Sequence, residues 1–145
     1  MDVTFVANDT RGGIDPYIAL AAEAAARGHQ VRAAAPPQYE REFVAGGAAF
    51  TPLSGAQQAQ AVAVEGHTSL REMARRVTAL TAQWATDVAA GARGTEVIVA
   101  VIGGLALARP LALSVGATVM RAHLQPLDAP STSYPGPLAV PFTPR

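Results

Sequence analysis

Residues 8–17 read Asn8-Asp9-Thr10-Arg11-Gly12-Gly13-Ile14-Asp15-Pro16-Tyr17 and connect an apolar segment to an alanine-rich one. The preceding residues 2–7 are rich in β-branched and aromatic side chains, which is typical of a buried strand. Proline suits the first position of a helix, because its missing N–H has no partner there. We therefore predict a helix from Pro16 to about Arg27, with Asp15 as its N-cap and Gly28 in the left-handed conformation after its end. A strand, a glycine turn and a helix N-terminus together let a polar ligand approach the backbone.

The alternation of strand and helix continues along the chain. Further strands are predicted at residues 30–35, 48–53, 97–102 and 117–122, and further helices at residues 38–45, 69–90 and 105–115. Residues 54–66 and the proline-rich residues 125–145 predict loop or linker. Short connections between strands imply parallel pairing through right-handed crossovers. The sequence thus predicts an α/β fold for residues 1–124, a Rossmann-like three-layer sandwich with a parallel sheet of about five or more strands.

Composition excludes several classes of function. The 145 residues carry 11 basic and 11 acidic side chains, so a formal charge of zero gives no electrostatic attraction for nucleic acid or an anionic membrane. All basic residues are arginine, and the absence of lysine and cysteine excludes Schiff bases, thiol nucleophiles, disulfides and zinc–thiolate sites. We expect no metal site. No apolar run approaches the ~18–20 residues that span a bilayer, and the first residues lack the pattern of a secretory signal, so we expect a cytoplasmic protein.

The predicted sheet places a ligand cleft beyond the carboxyl ends of its strands, where residues 8–13, 36–37, 54–66, 103–104 and 123–134 would gather. Gly12 and Gly13 fit such a cleft, although a strand-to-helix turn needs glycine in any case. A dinucleotide site is disfavoured, because residues 8–13 do not spell G-x-G-x-x-G and no acidic residue ends the second strand.

The segment Thr10-Arg11-Gly12, with Pro16-Tyr17-Ile18-Ala19-Leu20 and then Arg27-Gly28-His29-Gln30-Val31-Arg32, resembles the opening of family 28 glycosyltransferases. That opening reads roughly Gly-Thr-Arg-Gly-Asp-Val-x-Pro-Tyr-x-Ala-Leu, followed by a helix and Gly-His-x-Val-x-x-Ala. The resemblance covers most of the chain and is strong to about residue 55.

This resemblance implies an enzyme of the GT-B fold that glycosylates antibiotic aglycones or sterols. In that fold the N-terminal domain binds the acceptor and the C-terminal domain holds the nucleotide sugar. Residues 1–124 would then be the acceptor-binding domain and residues 125–145 the interdomain linker. A UDP- or TDP-sugar is expected only with a C-terminal domain, so the isolated chain would bind no cofactor and be inactive. Its expected partners are a small-molecule acceptor, the donor-binding domain and, through a bare apolar face, a second copy of itself.

In many of these enzymes the base that deprotonates the acceptor is the Asp after Arg-Gly, a position held here by Gly13. The candidate catalytic residues are therefore Asp15 and His123. The candidate acceptor-binding residues are Asp9, Thr10, Arg11, Gly12, Gly13, Tyr17 and His123. Asp15 also fits an N-cap, and Asp9 a turn residue that bonds its own backbone. In a protein with both domains, Gly13→Asp is expected to raise the rate by the ~10²–10⁴-fold typical of a positioned base.

Two other functions fit the same residues. The chain would be a non-catalytic binding or partner module if the fold was retained after the donor domain and the motif carboxylate were lost. A small Rossmann-like oxidoreductase is a third possibility, which the incomplete glycine pattern disfavours.

Overall fold

The computed structural model of the protein describes residues 1–55, 70–89, 91–101 and 104–124. In chain order they form β1 (Asp2–Val6), α1 (Arg11–Ala26), β2 (Gln30–Ala35), a 3₁₀ turn (Pro37–Tyr39), α2 (Glu40–Ala45), β3 (Ala49–Pro52), α3 (Leu70–Ala89), β4 (Val97–Ala100), α4 (Leu105–Val115) and β5 (Thr118–Arg121). Residues 56–66 of the loop predicted at 54–66, the start of the long helix before residue 70 and the tail at residues 125–145 lie outside the described residues.

The strands form one parallel sheet in the order β3-β2-β1-β4-β5, which confirms the predicted α/β Rossmann-like architecture. β1 is the middle strand and pairs with β2 on one side and β4 on the other. From β1 the chain forms β2 and β3 on one side of the sheet and then returns to the other side of β1 to form β4 and β5. The reversal point of the sheet therefore lies between β1 and β4. In open α/β sheets this reversal opens a crevice beyond the carboxyl ends of the two strands, so the topology places the cleft at residues 7–10 and at the end of β4.

Each face of the sheet carries its own apolar core, because successive side chains along a strand point to opposite faces. Val3 and Phe5 pack with Ile14 and Tyr17 of α1 and with Phe43 of α2. On the other face, Val6 and Ile98 pack with Trp84 and Val88 of α3 and with Leu107 and Leu111 of α4. Helices therefore pack on both faces of the sheet. None of the helices within the described residues is long and apolar enough to cross a membrane.

The predicted start of α1 is wrong. The helix begins at Arg11 after Thr10 as N-cap, and the N–H groups of Gly13 and Ile14 already donate to the Thr10 carbonyl at 3.0 and 3.1 Å. Asp15 therefore lies inside the helix, and Pro16 is its sixth residue. The physical reason is packing: Ile14 and Tyr17 lie three residues apart on one helical face and are 0% and 1% exposed, which outweighs the weak helix propensity of two glycines.

Other element ends agree closely with the predictions. β2 and α4 have the predicted bounds, and Gly28 and Gly116 adopt positive φ angles of 83° and 74° after their helices. β3, β4 and β5 are shorter than predicted by one or two residues at an end. Pro110 lies in the second turn of α4, not close to its start.

Candidate functional site

Two backbone segments approach closely at the carboxyl end of β1. A Cβ added to Gly104, which begins the turn into α4, would lie 2.3 Å from the carbonyl oxygen of Val6 at the end of β1. No side chain fits that distance. Glycine at position 104 therefore lets the backbone at the start of α4 lie against the end of β1.

Asp9 and Gly13 share one volume at the start of α1. The Oδ1 atom of Asp9 accepts hydrogen bonds from the Thr10 backbone N–H at 2.6 Å and from the Thr10 hydroxyl at 3.4 Å. A Cβ built on Gly13 would lie 2.3 Å from both Cγ and Oδ2 of Asp9. The carboxyl group of Asp9 thus lies over Gly13, in the space that a side chain at position 13 would take.

Tyr17 interacts with the charge of the Asp9 carboxylate and with the residue that follows the last strand. Its hydroxyl donates to the carbonyl of Ala122, just after β5, and its ring meets Phe5 edge-on, with centroids 6.5 Å apart and planes at 84°. Burial and the negative charge of Asp9 raise the pKa of Tyr17. Tyr17 therefore stays neutral over the ordinary pH range, and it connects α1, the end of β1 and the end of β5 from below the cleft.

Two further polar side chains follow the same strands. Asn8 follows β1, and its Oδ1 atom is buried without a hydrogen-bond partner among the residues that the structure describes. His123 follows β5 directly after Ala122; its side chain is half-buried, with the Nδ1 atom inside the protein. A buried acceptor is costly unless a donor reaches it, so the environment of Asn8 favours a ligand that carries a hydroxyl or amide hydrogen.

The remaining predicted site residues lie on the outer surface of the first helical turns. Arg11 is exposed and pairs with Asp15 at 3.4 Å and with Glu42 at 3.6 Å. Thr10 and Gly12 are exposed, and a Cβ on Gly12 would meet nothing within 4 Å. A ligand therefore has open access to the backbone at Gly12. The carboxylate of Asp15 is engaged by Arg11 one turn further from the strand end.

A cleft at the carboxyl ends of the strands stays a prediction, and sequence reasoning missed the contact between Asp9 and Gly13. The available signal was the spacing: residues four apart face each other on a helix, and a glycine there leaves room for the earlier side chain. It was hidden because the helix was expected to begin only at Pro16. Asn8 was not singled out, since a buried acceptor atom leaves no trace in a sequence pattern.

A separate groove of about 460 Å³ runs along the sheet face beside α1. It is lined mainly by apolar side chains of β1, β4 and β5 and by the outer edge of α1, including Val3, Phe5, Leu20, Val99 and Met120. Its rim carries Arg27, Glu23 and His29, so His29 lies away from the carboxyl ends of the strands.

No protein-family model matches the chain, and no curated protein matches it in sequence. Among solved structures, the glycosyltransferase of kitacinnamycin is similar with a TM-score of 0.65 and 20% identity, over 84% of this chain and 30% of that one. SsfS6 of Streptomyces sp. SF2575, solved with thymidine diphosphate, gives a TM-score of 0.65 and 18% identity, over 85% of this chain and 38% of that one.

The calicheamicin glycosyltransferase CalG4 gives a TM-score of 0.61 and 16% identity, over 92% of this chain and 34% of that one. At these identities the likeness concerns the fold. The chain spans about a third of the length of these three proteins. It therefore has the fold of a Rossmann-like domain of the GT-B glycosyltransferases.

Proposed function

We propose that this chain is the acceptor-binding domain of a glycosyltransferase that moves a sugar from a nucleotide-sugar donor to a hydroxyl group of a lipophilic acceptor. The observation that carries the proposal is a set of polar side chains that follow the carboxyl ends of β1 and β5. The carboxylate of Asp9, the buried amide oxygen of Asn8 and the half-buried imidazole of His123 follow the two strands β1 and β5. These groups receive hydrogen bonds, which suits the hydroxyl of an acceptor.

The neighbouring surface suits the rest of such a molecule. The backbone at Gly12 is open, so a planar ring system can lie against it without meeting a side chain. The names of the similar structures refer to kitacinnamycin and calicheamicin, which favours a natural-product aglycone over a sterol as the acceptor. The site residues proposed are Asp9, Thr10, Arg11, Gly12, Gly13, Tyr17 and His123, with Asp15 and His123 as the first candidates for a base.

The donor belongs to a second domain in this proposal. The chain spans about a third of the similar glycosyltransferases, and one of them was solved with thymidine diphosphate. We expect a UDP- or TDP-sugar to bind only when a donor domain is joined to this one. The isolated chain then binds the acceptor but does not catalyse sugar transfer.

A titration tests the proposal directly. The purified chain is titrated with polycyclic aglycones and sterols, and separately with UDP- and TDP-sugars, by calorimetry and by fluorescence of Trp84. This single tryptophan is a useful reporter because its indole N–H donates to the Ser54 carbonyl at 2.7 Å, just beyond β3. Binding of aglycones without nucleotides supports the proposal. Binding of nucleotides alone contradicts the assignment of the cleft to the acceptor.

The alternative is a non-catalytic binding or partner module. Position 13, where the resembling family carries its carboxylate, is glycine, and this observation favours a domain that binds without catalysing. The two proposals are separated by joining the chain to the donor domain of a related enzyme. Sugar transfer to any aglycone supports the transferase, and persistent inactivity despite aglycone binding supports the module.

A further inference from the structure

The groove beside α1 lies on a part of the sheet face that carries exposed apolar side chains. Met120 of β5 is the register partner of Val99 in β4, and both side chains line the groove. Val99 is 7% exposed, whereas Met120 is 55% exposed and Leu20, on the α1 side of the groove, is 49% exposed. Large apolar side chains gathered in one concave surface indicate an interaction site.

The groove favours an occupant with few backbone donors. Its floor includes β1 and β4, and each of these strands pairs with a neighbouring strand on both sides. The floor therefore offers side chains only, and an N–H group buried against it would lack a partner. Carbonyl groups are easier to accommodate, because Arg27 at the rim carries further N–H donors beside the Nε atom that bonds Glu23 at 2.7 Å.

Residues 125–145, which lie outside the described residues, have the composition that this surface favours. They follow Leu124 and thus continue from β5, the strand that forms one side of the groove. Their longest stretch without proline is four residues, 131–134, so they lack the continuous row of N–H groups that pairing with the outer edge of β5 requires. Packing on an apolar face requires no such row and therefore suits them better.

One part of this segment also has the pattern of an extended chain that lies on an apolar surface. Leu138, Val140 and Phe142 alternate with Ala139 and Pro141. Residues two apart in an extended chain point to the same side, and proline favours an extended conformation in the residue before it. The pattern therefore predicts three apolar side chains that face one way.

We propose that residues 138–142 occupy the groove, with Leu138, Val140 and Phe142 packed against the exposed side chains of Leu20 and Met120. The connection is long enough. Positions 124 and 138 are 14 residues apart and span up to about 46–50 Å, whereas a four-residue strand such as β4 is only about 13 Å long. This contact goes beyond the proposed function, because it does not depend on what the chain binds at its strand ends.

The test uses the full chain, which has no cysteine, so that one introduced thiol reports on one position. The thiol of Met120→Cys is modified with neutral iodoacetamide, and the rate is measured. Changing residues 138, 140 and 142 together to aspartate should raise this rate about 10-fold or more, because the thiol reacts only while the segment is out of the groove.

Two controls match this experiment. Ser131→Asp, Thr132→Asp and Ser133→Asp together add the same charges to the same segment at polar positions, and they should leave the rate within about twofold. Leu113→Cys, on α4 and 87% exposed, should react equally with every version of the segment. Equal rates at Met120→Cys in the two triple variants overturn the proposal. A rate that falls as the protein concentration rises identifies a second copy as the occupant and also overturns it.

A disulfide gives a second measurement that leaves the apolar side chains at 138 and 142 in place. Met120→Cys combined with Val140→Cys should form an intramolecular disulfide about 10-fold faster than Leu113→Cys combined with Val140→Cys, because the proposed contact holds the first pair close together. Equal rates for the two pairs overturn the proposal.

Discussion

The absence of a β-carbon at Gly13 allows the Asp9 carboxylate to lie where it does. Asp9 and Gly13 are four residues apart at the start of a helix, and the carboxyl group of one covers the backbone of the other. The expected gain in rate from Gly13→Asp therefore needs revision. In its present rotamer the Asp9 side chain overlaps the new one, so that gain is expected only in a chain where Asp9 turns away or is also replaced.

A stability cycle measures this exclusion without any ligand. Gly13→Ala should lower the free energy of unfolding by about 1–3 kcal/mol in the wild-type chain, because the new methyl group overlaps Asp9. In an Asp9→Gly background the same change should raise it by about 0.5–1 kcal/mol, since alanine favours the helix over glycine. Urea denaturation of the four proteins gives the coupling energy. Additive effects would show that the two positions do not share their space.

Tyr17 should make the folding stability of the chain fall at alkaline pH, and a substitution at this residue can measure that contribution separately. Its pKa is raised by burial and by Asp9, so the unfolded state loses this proton at a lower pH than the folded state does. The stabilisation is complete below the unfolded pKa, near ~10, and is lost as pH rises toward the folded value. Lysine is absent, so no ammonium side chain titrates in this range.

The measurement is the free energy of unfolding between about pH 8 and 11.5, with the tyrosinate absorbance followed in parallel. Tyr17→Phe should remove most of the alkaline slope. At neutral pH it should cost about 1–3 kcal/mol, because the carbonyl of Ala122 loses its donor. An unchanged slope in Tyr17→Phe would assign the alkaline loss to other groups.

Among the secondary-structure elements, the strands could be predicted because short apolar runs rich in β-branched residues are typical of buried strands. Gly28 and Gly116 were predictable as helix ends for a steric reason, since a positive φ excludes most side chains. The start of α1 was not predictable from local signals. Asp15-Pro16 has the form of a cap, but the burial of Ile14 and Tyr17 extends the helix back to Arg11.

The junction of β1 and α4 leaves no space for a side chain at Gly104. Gly104→Ala places a methyl group 2.3 Å from the Val6 carbonyl oxygen, a backbone atom that cannot turn away, so about 1–3 kcal/mol or more of stability should be lost. Gly12→Ala is the matched control at a helix start with open space around it, and it should be neutral or stabilising. Thermal unfolding of both variants compares them. Equal losses of stability in the two variants would mean that helix geometry, and not the contact with the Val6 carbonyl, determines the loss.

For the whole molecule, the strand order predicts a gradient of hydrogen-exchange protection. β1 is paired on both sides within a buried sheet, whereas β3 and β5 are the outer strands of the described sheet. Amides of β1 should exchange at rates set by global unfolding, and those of β3 and β5 should exchange faster through local opening. Exchange followed by NMR tests this order. Protection in β5 as strong as in β1 would contradict it.

The groove beside α1 leaves part of the sheet face open, with Leu20 and Met120 49% and 55% exposed at its sides. The bare apolar face that the resemblance to two-domain enzymes predicts is an interdomain face, and both this face and its pairing with a second copy stay predictions. A parallel sheet of this strand order predicts a cleft beyond the strand ends. The contacts of the side chains at those ends could not be predicted, because they join residues as distant as Tyr17 and Ala122.

The shared volume at positions 9 and 13 also constrains how this site can change over evolutionary time. The opening that the chain resembles has glycine at the first of these positions and aspartate at the second, and this chain has the two residues exchanged. A lineage that passes from one arrangement to the other by single substitutions must go through a sequence with two carboxylates in one space or with none. Related chains should therefore show coupled replacement at the two positions, with a carboxylate at one and glycine at the other.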